Sequence, residues 1–205
     1  MREETDAKRI EEFLAALKVG EPATTEDFRR ELRANIGDRG LTVYLMWKVL
    51  EERCPELDAK GLMAEACRRF GQLKSKGIRA AAESAHAGES TKVGDGATGP
   101  TGTARVTAAD WMKGGSSRSG VLAWDQRFEQ LNEERAVKVF GHCPHIAAAK
   151  AAGATDDELA QLCRDIMIHA DYGMAAAFPH LELDFPGKTC AEGGNCRMVI
   201  AYRKE

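Results

Sequence analysis

Several common functional signatures are absent from this sequence of 205 residues. It has no basic tract and no alternation of basic and aromatic residues, which excludes the usual nucleic-acid-binding footprint. No apolar run approaches the length that a bilayer crossing needs. A serine-hydrolase elbow, a phosphate-binding P-loop and a dinucleotide-binding glycine fingerprint are also missing. We therefore expect neither a nucleic acid nor a membrane as partner.

The charge is nearly balanced, with 29 basic and 32 acidic residues and a formal net charge of −3. The first six residues carry a net acidic charge and lack a following apolar stretch, so they do not resemble a secretory signal. Without such a signal, the six cysteines are better explained as thiols or ligands than as disulfides. We expect a cytoplasmic protein, and the length predicts one domain over residues 1–205.

Apolar periodicity predicts a helical N-terminal half. The stripes at helical spacing are Ile10, Phe13, Leu14 and Leu17; Phe28, Leu32 and Ile36; Val43, Met46, Trp47, Leu50 and Cys54; and Leu62, Ala66, Phe70 and Leu73. Thr24 or Thr25 is expected to cap the second helix, and Gly37 to end it. Asp58 is expected to cap the fourth helix, whose stripe would face inward.

A segment rich in Gly, Ser and Thr follows, from Gly88 to Gly120. Its composition predicts an insertion or lid within the domain. Trp111 and Met112 are unusual in such a segment. They would either dock over a pocket or anchor the loop.

The C-terminal half predicts strands and helices in alternation. The expected strands are 121–131, 135–140, 181–185 and 197–202. One helix begins at Pro144, and a second begins at the capping box Thr155-Asp156-Asp157-Glu158. Together these elements predict an α+β fold, with the helical N-terminal half packed on an antiparallel sheet of about four strands.

Cys143 lies in the string Phe140-Gly141-His142-Cys143-Pro144-His145, at a predicted strand-to-helix junction. Helix N-termini and nearby imidazolium groups lower the pKa of a thiol. The string therefore suggests a reactive thiolate. The alternative is a small buried apolar cysteine with surface histidines beside it.

Further candidate residues follow along the chain. Cys163 falls on the apolar face of its helix, with His169 on the flank and Asp171 off that face, near the helix end. Cys190 and Cys196 flank a glycine-rich turn. They would form a metal clip or a redox pair, or one of them would face a pocket. The alternative is that they are two partly exposed thiols.

The usual zinc spacings, Cys-x-x-Cys and His-x-x-x-His, are absent. We expect no cofactor, and the alternative is a bound metal ion. If one is bound, its expected ligands are Cys143, His145, Cys190 and Cys196.

The ordered motifs of the C-terminal half resemble the L-2-amino-thiazoline-4-carboxylic acid hydrolase-like family. A strand runs into Cys143-Pro144, a helix carries Cys163, Phe178-Pro179 follows, and 193–196 (Gly-Gly-Asn-Cys) enters the last strand. Ile36 to Gly40 and Phe70-Gly71 in the first half fit more loosely. The resemblance covers most of the chain outside residues 88–120.

The resemblance implies hydrolysis of a non-peptide C–N bond in a small cyclic amidine or amide. Cys143 would be the nucleophile or polarise the substrate, and His145 or His169 would exchange protons. Asp171 would orient a histidine or bind the amidine. The expected substrate-binding residues are His142, Cys163, Gly194 and Cys196. The alternative is a non-catalytic sensor module that binds a metal or small molecule through the Cys/His cluster; self-association into a homo-oligomer stays open.

Overall fold

Two long helices precede a four-stranded sheet in the computed structural model, which describes residues 24–89 and 105–204. The described helices are α1 (Thr25–Arg53), α2 (Ala59–Glu89), α3 (Ala108–Gly114), α4 (Arg118–Ala123), α5 (Pro144–Ala151), α6 (Asp156–Gln161) and α7 (His169–Ala175), with a π-helix at Leu162–Met167 and a 3-10 helix at Cys190–Glu192. The strands are β1 (Gln126–Leu131), β2 (Arg135–Phe140), β3 (Leu181–Asp184) and β4 (Cys196–Tyr202).

The sheet has the order β1-β2-β4-β3, and every neighbouring pair is antiparallel. The predicted α+β class, with a helical N-terminal half and four antiparallel strands, is confirmed. The first strand is shorter than predicted, because part of 121–125 belongs to α4. Ser117 caps that helix by accepting a hydrogen bond from the Gly120 backbone N–H at 3.0 Å.

Helix α1 is continuous, so the prediction that a helix ends at Gly37 is wrong. Gly37 and Gly40 are buried inside it, where α5 packs closely. A Cβ atom added at Gly40 would lie 2.4 Å from the Cβ of His145. These glycines therefore allow close helix contact instead of ending the helix. The predicted cap is confirmed, since Thr24 Oγ1 accepts a hydrogen bond from Asp27 N at 3.1 Å.

Helix α2 begins after Asp58, whose carboxylate accepts a hydrogen bond from Gly61 N at 3.0 Å, as predicted. The predicted inward stripe is wrong, because Leu62, Phe70 and Leu73 are exposed. The contact with α7 is the most extensive between helices, and Gly71 belongs to the face that makes it. The close approach of two backbones therefore decides which face of α2 is buried.

The predicted insertion at 88–120 divides into two parts. Residues 90–104 lie outside the described residues. In the part that follows, Thr107 and Asp110 form a capping box that opens α3. Trp111 and Met112 are 1% and 0% exposed within the core. Residues 108–114 therefore pack inside the domain and anchor the chain there.

Two apolar clusters form the core of the described residues. One lies between the sheet and helices α2, α3 and α7, and the other lies between α1, the start of α2, α5, α6 and the π-helix. The predicted helix over Ile10 to Leu17 falls outside the described residues. No helix within 24–89 and 105–204 has the length and apolar character required to span a bilayer.

Candidate functional site

The end of strand β2 positions three cysteines around Phe140. Cys196 pairs with Phe140 across the β2–β4 ladder. The thiol of Cys190 donates a hydrogen bond to the Phe140 carbonyl at 3.5 Å. Cys143 follows three residues after Phe140 and is the N-cap residue of α5. Thiols that are far apart in sequence therefore meet at one strand end.

Cys163 approaches from the π-helix. The Ile168 N–H donates to the Cys163 carbonyl at 3.0 Å, five residues back, as the π geometry requires. The side chain of Thr189, which is 1% exposed, interacts with the Cys163 thiol and favours its thiolate. Since Thr189 precedes Cys190 directly, this contact joins the fourth cysteine to the other three.

An ion pair fixes the loop that carries Cys190 to the π-helix. Arg164 donates hydrogen bonds to the Glu192 carboxylate at 2.6 and 3.0 Å and to the Gly187 carbonyl at 2.9 Å. Glu192 also accepts hydrogen bonds from the Thr189 backbone and hydroxyl. The loop therefore holds Cys190 in a defined position beside Cys163.

The four thiols of Cys143, Cys163, Cys190 and Cys196 form one group, which we call the thiol cluster. Each of the six pairs within it interacts electrostatically. Of the other two cysteines, Cys54 is the C-cap residue of α1, and Cys67 lies on α2, where burial and the Asp171 carboxylate raise its pKa. All six cysteines are free thiols, and each keeps partial exposure.

Burial dominates the chemistry of the thiol cluster. Burial, with a smaller contribution from the thiolates of Cys163 and Cys190, raises the pKa of Cys143 to about 12. The backbone N–H groups of Ile146 and His145 face the sulfur and lower the pKa, but neither forms an aligned capping hydrogen bond. The helix N-terminus therefore lowers the pKa of Cys143 as expected, but burial outweighs this effect, so the expectation of a net lowered pKa is wrong. Burial also raises the pKa of Cys163 and Cys196.

The spacing of the thiols limits what they can hold. Four sulfurs bound to one tetrahedral zinc ion stand about 4 Å apart, since each Zn–S bond is about 2.3 Å. Within 24–89 and 105–204, no three Cys, His, Asp or Glu side chains converge in this way on one ion position. The thiols therefore interact electrostatically, but the described residues form no ready-made site for a single ion.

Two groups of opposite charge, Lys138 and Asp171, interact electrostatically beside the thiol cluster. Lys138 is 3% exposed in the middle of β2, and its Nζ lies 3.3 Å from Ser116 Oγ and 5.0 Å from the centroid of the Phe140 ring. Burial lowers the pKa of Lys138 to about 8, partly offset by the Asp171 carboxylate. Burial raises the pKa of Asp171 to about 6, and Lys138 opposes that shift. Asp171 also interacts electrostatically with Cys196.

The rings of His142, His145 and His169 each have neighbours outside the thiol cluster. The His145 ring stacks edge-on against Trp124 at 5.6 Å and packs against Gly40 of α1. His142 lies near Arg33 and Asp125, and burial lowers its pKa. His169 contacts the ring of Tyr172 at 5.9 Å. Three of the four expected metal ligands, Cys143, Cys190 and Cys196, therefore belong to the thiol cluster. The fourth expected ligand, His145, does not, and Cys163 is the fourth member of the cluster.

Gly194 is a predicted site residue, whereas Lys138 and Thr189 were not predicted. Gly194 closes the turn before β4: its N–H donates to the Thr189 carbonyl at 3.0 Å, and an added Cβ would lie 2.6 Å from the Cβ of Lys188. Sequence reasoning missed Lys138 and Thr189. A lysine among the apolar residues of 136–140 was the available signal, since a basic side chain in a buried strand needs a partner.

A surface concavity of about 270 Å³ lies away from these residues. It is lined by Thr24, Thr25, Phe28, Arg118 and Leu122. It contains no cysteine, histidine or carboxylate, so it lacks the groups that the predicted chemistry requires. The thiol cluster and the Lys138–Asp171 pair remain the candidate site.

Comparison with known proteins assigns neither a family nor a function to this chain. No protein-family model, no curated protein and no solved structure matches the chain.

Proposed function

We propose that this protein binds a metal centre through the thiol cluster, the metal-binding alternative of the sequence analysis. The observation that carries the proposal is that Cys190 and Cys196 meet at Phe140 and that Cys143 follows the same strand end. The Thr189 side chain joins Cys163 to this group. A buried free cysteine packs as a small apolar residue and needs no other thiol nearby, so packing alone does not explain the convergence.

Metal binding gives these thiols a clear energetic role. Thiolates are the ligands that zinc, copper(I) and iron–sulfur centres prefer. Without a cation, burial and mutual repulsion keep the thiols protonated, as the raised pKa of Cys143 indicates. A bound cation offsets both effects and releases protons. Free thiols in all six positions also support the proposed cytoplasmic location, where disulfides are rare.

The test is metal analysis of the purified protein together with single Cys→Ser variants. Wild type should hold a transition metal in stoichiometric amount. Substitution at any position of the thiol cluster should reduce that amount several-fold, because a ligand is lost. Cys54→Ser is the matched control, since Cys54 lies at the end of α1 outside the cluster. Metal-free wild type after purification and after supplementation with zinc or iron would refute the proposal.

Hydrolysis of a cyclic amidine or amide is a second proposal, supported by the Lys138–Asp171 pair. A carboxyl group with a pKa of about 6 and an amine with a pKa of about 8 can exchange protons near neutral pH. Asp171 also lies near Cys196, so this acid–base pair adjoins the thiols. In this scheme the Cys143 sulfur attacks the substrate carbon, the C–N bond breaks, and the departing nitrogen takes up the thiol proton. Water then hydrolyses the bond between the sulfur and the substrate carbon and regenerates the thiol, while Asp171 binds the protonated amidine.

A substrate panel separates the two proposals. Thiazolines, hydantoins and dihydropyrimidines would be tested with wild type, Cys143→Ala and Cys54→Ala. Loss of a nucleophile should lower turnover by roughly a hundredfold or more, whereas Cys54→Ala should retain activity. Inactivity of the wild type on the whole panel, with stoichiometric metal, would favour the metal-binding proposal alone.

A further inference from the structure

We propose that a second copy of this chain packs against an exposed apolar stripe on α2, antiparallel to it, and that the two copies form a reversible homodimer. The residues of this surface, which we call the α2 stripe, are Leu62, Ala66, Phe70, Leu73, Gly77 and Ala81. The dimer is independent of the proposed metal binding, because the α2 stripe includes no residue of the candidate site.

The large side chains of the α2 stripe are exposed to solvent. Leu62 is 50% exposed, Phe70 is 55% exposed and Leu73 is 66% exposed. The small residues between and beyond them are exposed as well. A contiguous exposed apolar patch usually marks a surface that another molecule covers, whereas apolar residues scattered singly need no explanation. The α2 stripe therefore calls for a partner.

The α2 stripe lies on the side of the helix that is turned away from the domain. Its residues recur every three or four positions, so they share one side of α2. Gly71, Ser75 and Ile78 lie on the other side and are buried, with Gly71 against α7 and Ile78 against α3. Residues 62–81 of an α-helix span about 30 Å. The outer side of α2 therefore presents a long apolar strip that no contact within the domain uses.

The order of large and small residues along the α2 stripe matches a second copy of itself. A twofold interface joins the same surface on both copies, so that surface must be complementary to itself. With the twofold axis between positions 71 and 72, Leu62 of one copy lies opposite the small Ala81 of the other. Ala66 of one copy lies opposite Gly77 of the other, and these two small residues let the helices approach closely. An antiparallel pair of α2 helices is therefore free of clashes between large side chains at both ends of the stripe.

The largest apolar side chains of the stripe lie next to the axis. Phe70 of one copy faces Leu73 of the other, and the same contact occurs twice because of the symmetry. Glu65, whose carboxylate binds Arg69 of its own helix at 2.7 Å, lies on the flank of the stripe. Lys76 lies on the same flank, within two residues of the position opposite Glu65 of the other copy. Exposed ion pairs contribute little affinity, so this pair of opposite charges favours the antiparallel orientation while the apolar centre supplies the binding energy.

The size of the α2 stripe predicts reversible association. A length of about 30 Å and a helix diameter of about 10–12 Å correspond to a footprint of roughly 350 Å² on each copy. Stable complexes bury about 800 Å² on each partner, and smaller interfaces belong to transient complexes. We therefore expect the dimer to dissociate in the micromolar range, with monomer and dimer in equilibrium.

Sedimentation equilibrium of the full-length chain over a wide concentration range tests the dimer. The mass should rise from that of the 22.3 kDa monomer to twice that value. Phe70→Glu and Leu73→Glu should each raise the dissociation constant by about thirtyfold or more, because a carboxylate would be buried at the axis. Both side chains are exposed in the monomer, so circular dichroism and urea unfolding of the dilute variants should match wild type.

Leu45→Glu is the matched control, since Leu45 is a 50% exposed leucine on α1 and should leave the dissociation constant unchanged. A monomer at every concentration, an open-ended assembly, or equal weakening by all three variants would overturn the proposal. A dimer that neither α2 variant weakens would place the interface elsewhere and overturn it as well.

Photo-crosslinking tests the antiparallel orientation. A benzophenone amino acid incorporated at Leu62 would be irradiated in a mixture of unlabelled and heavy-nitrogen-labelled chains, so that mass spectrometry identifies crosslinks between copies. We expect crosslinks to the segment around Ala81 of the other copy. Crosslinks to the segment around Leu62 of the other copy would show a parallel pair and overturn the proposed arrangement.

Discussion

The carbonyl oxygen of Phe140 accepts a hydrogen bond from the thiol of Cys190 at 3.5 Å. Because Phe140 also pairs with Cys196 in the sheet, one strand position fixes two cysteines from different sides. The backbone thus sets the separation of these thiols, so their positions depend little on the side chain of Phe140 itself.

The reactivity of Cys143 tests the effect of burial. After metal removal, native protein should alkylate at Cys143 at least about tenfold more slowly than urea-denatured protein at pH 7.5, because only the thiolate reacts and burial raises the pKa to about 12. Mass spectrometry after timed iodoacetamide treatment gives both rates. Faster labelling in the native protein would show that the helix N-terminus outweighs burial.

Metal affinity should increase with pH. Each cysteine that binds a metal releases a proton, so protons compete with the metal wherever the thiol pKa lies above the working pH. The raised pKa values of Cys143, Cys163 and Cys196 lie above the range from pH 6 to 8, so protons compete with the metal throughout that range. Competition with a chelator, corrected for the chelator's own protonation, measures the trend. A pH-independent affinity would mean that the cluster thiols are not the ligands.

Helix contact at two glycines should control the stability of the domain. A Cβ atom added at Gly71 would lie 1.9 Å from the Ala170 carbonyl oxygen, and one at Gly173 would lie 2.1 Å from that of Arg68. Each Gly→Ala change should reduce the free energy of unfolding by about 2 kcal/mol or more, through forced separation of α2 and α7. Urea denaturation measures the change.

Gly77 supplies the matched control for this pair. It lies within α2, and an added Cβ would have no neighbour within 4 Å. Gly77→Ala should therefore stabilise the protein by about 0.5–1 kcal/mol, because alanine has the higher helix propensity. Destabilisation as large as that at Gly71 would show that helix packing is not the cause.

The capping box at Thr155 predicts a defined response to acid. The Thr155 N–H and, next, the Lys48 ammonium group hold the pKa of Glu158 at about 2. A lowered carboxyl pKa stabilises the fold above the unfolded pKa of about 4.3 and loses that contribution as pH falls through about 2. Glu158→Gln should destabilise the protein by about 1 kcal/mol at pH 6, and the difference from wild type should shrink towards pH 2. Glu134→Gln, in the exposed β1–β2 turn, should show no such difference.

Local signals predicted much of the fold. Thr24, Asp58 and Thr155 cap helices where their sequence patterns indicated, because capping depends on residues three positions apart. The strand over 135–140 was predicted with its observed bounds for the same reason.

The errors came from contacts between distant segments. Gly37 was expected to end a helix, but α5 packs against it and keeps the helix continuous. The exposed face of α2 was predicted as buried, since periodicity defines an apolar stripe but not the surface that covers it. The convergence of Cys163 with Cys190 depends on the Thr189 contact and on a loop held by Arg164, which no short sequence pattern encodes.

The π-helix at Leu162–Met167 changes the direction in which the side chains after it point. In an unbroken α-helix, the eight steps from Cys163 to Asp171 would turn the two side chains about 80° apart. One extra residue in a π turn takes up about 100° of that rotation, so the thiol and the carboxylate return to within about 20° of each other. A one-residue change in length here decides whether the helix presents its cysteine and its carboxylate together. A homologue lacking that residue would keep the fold while separating the acid from the thiols.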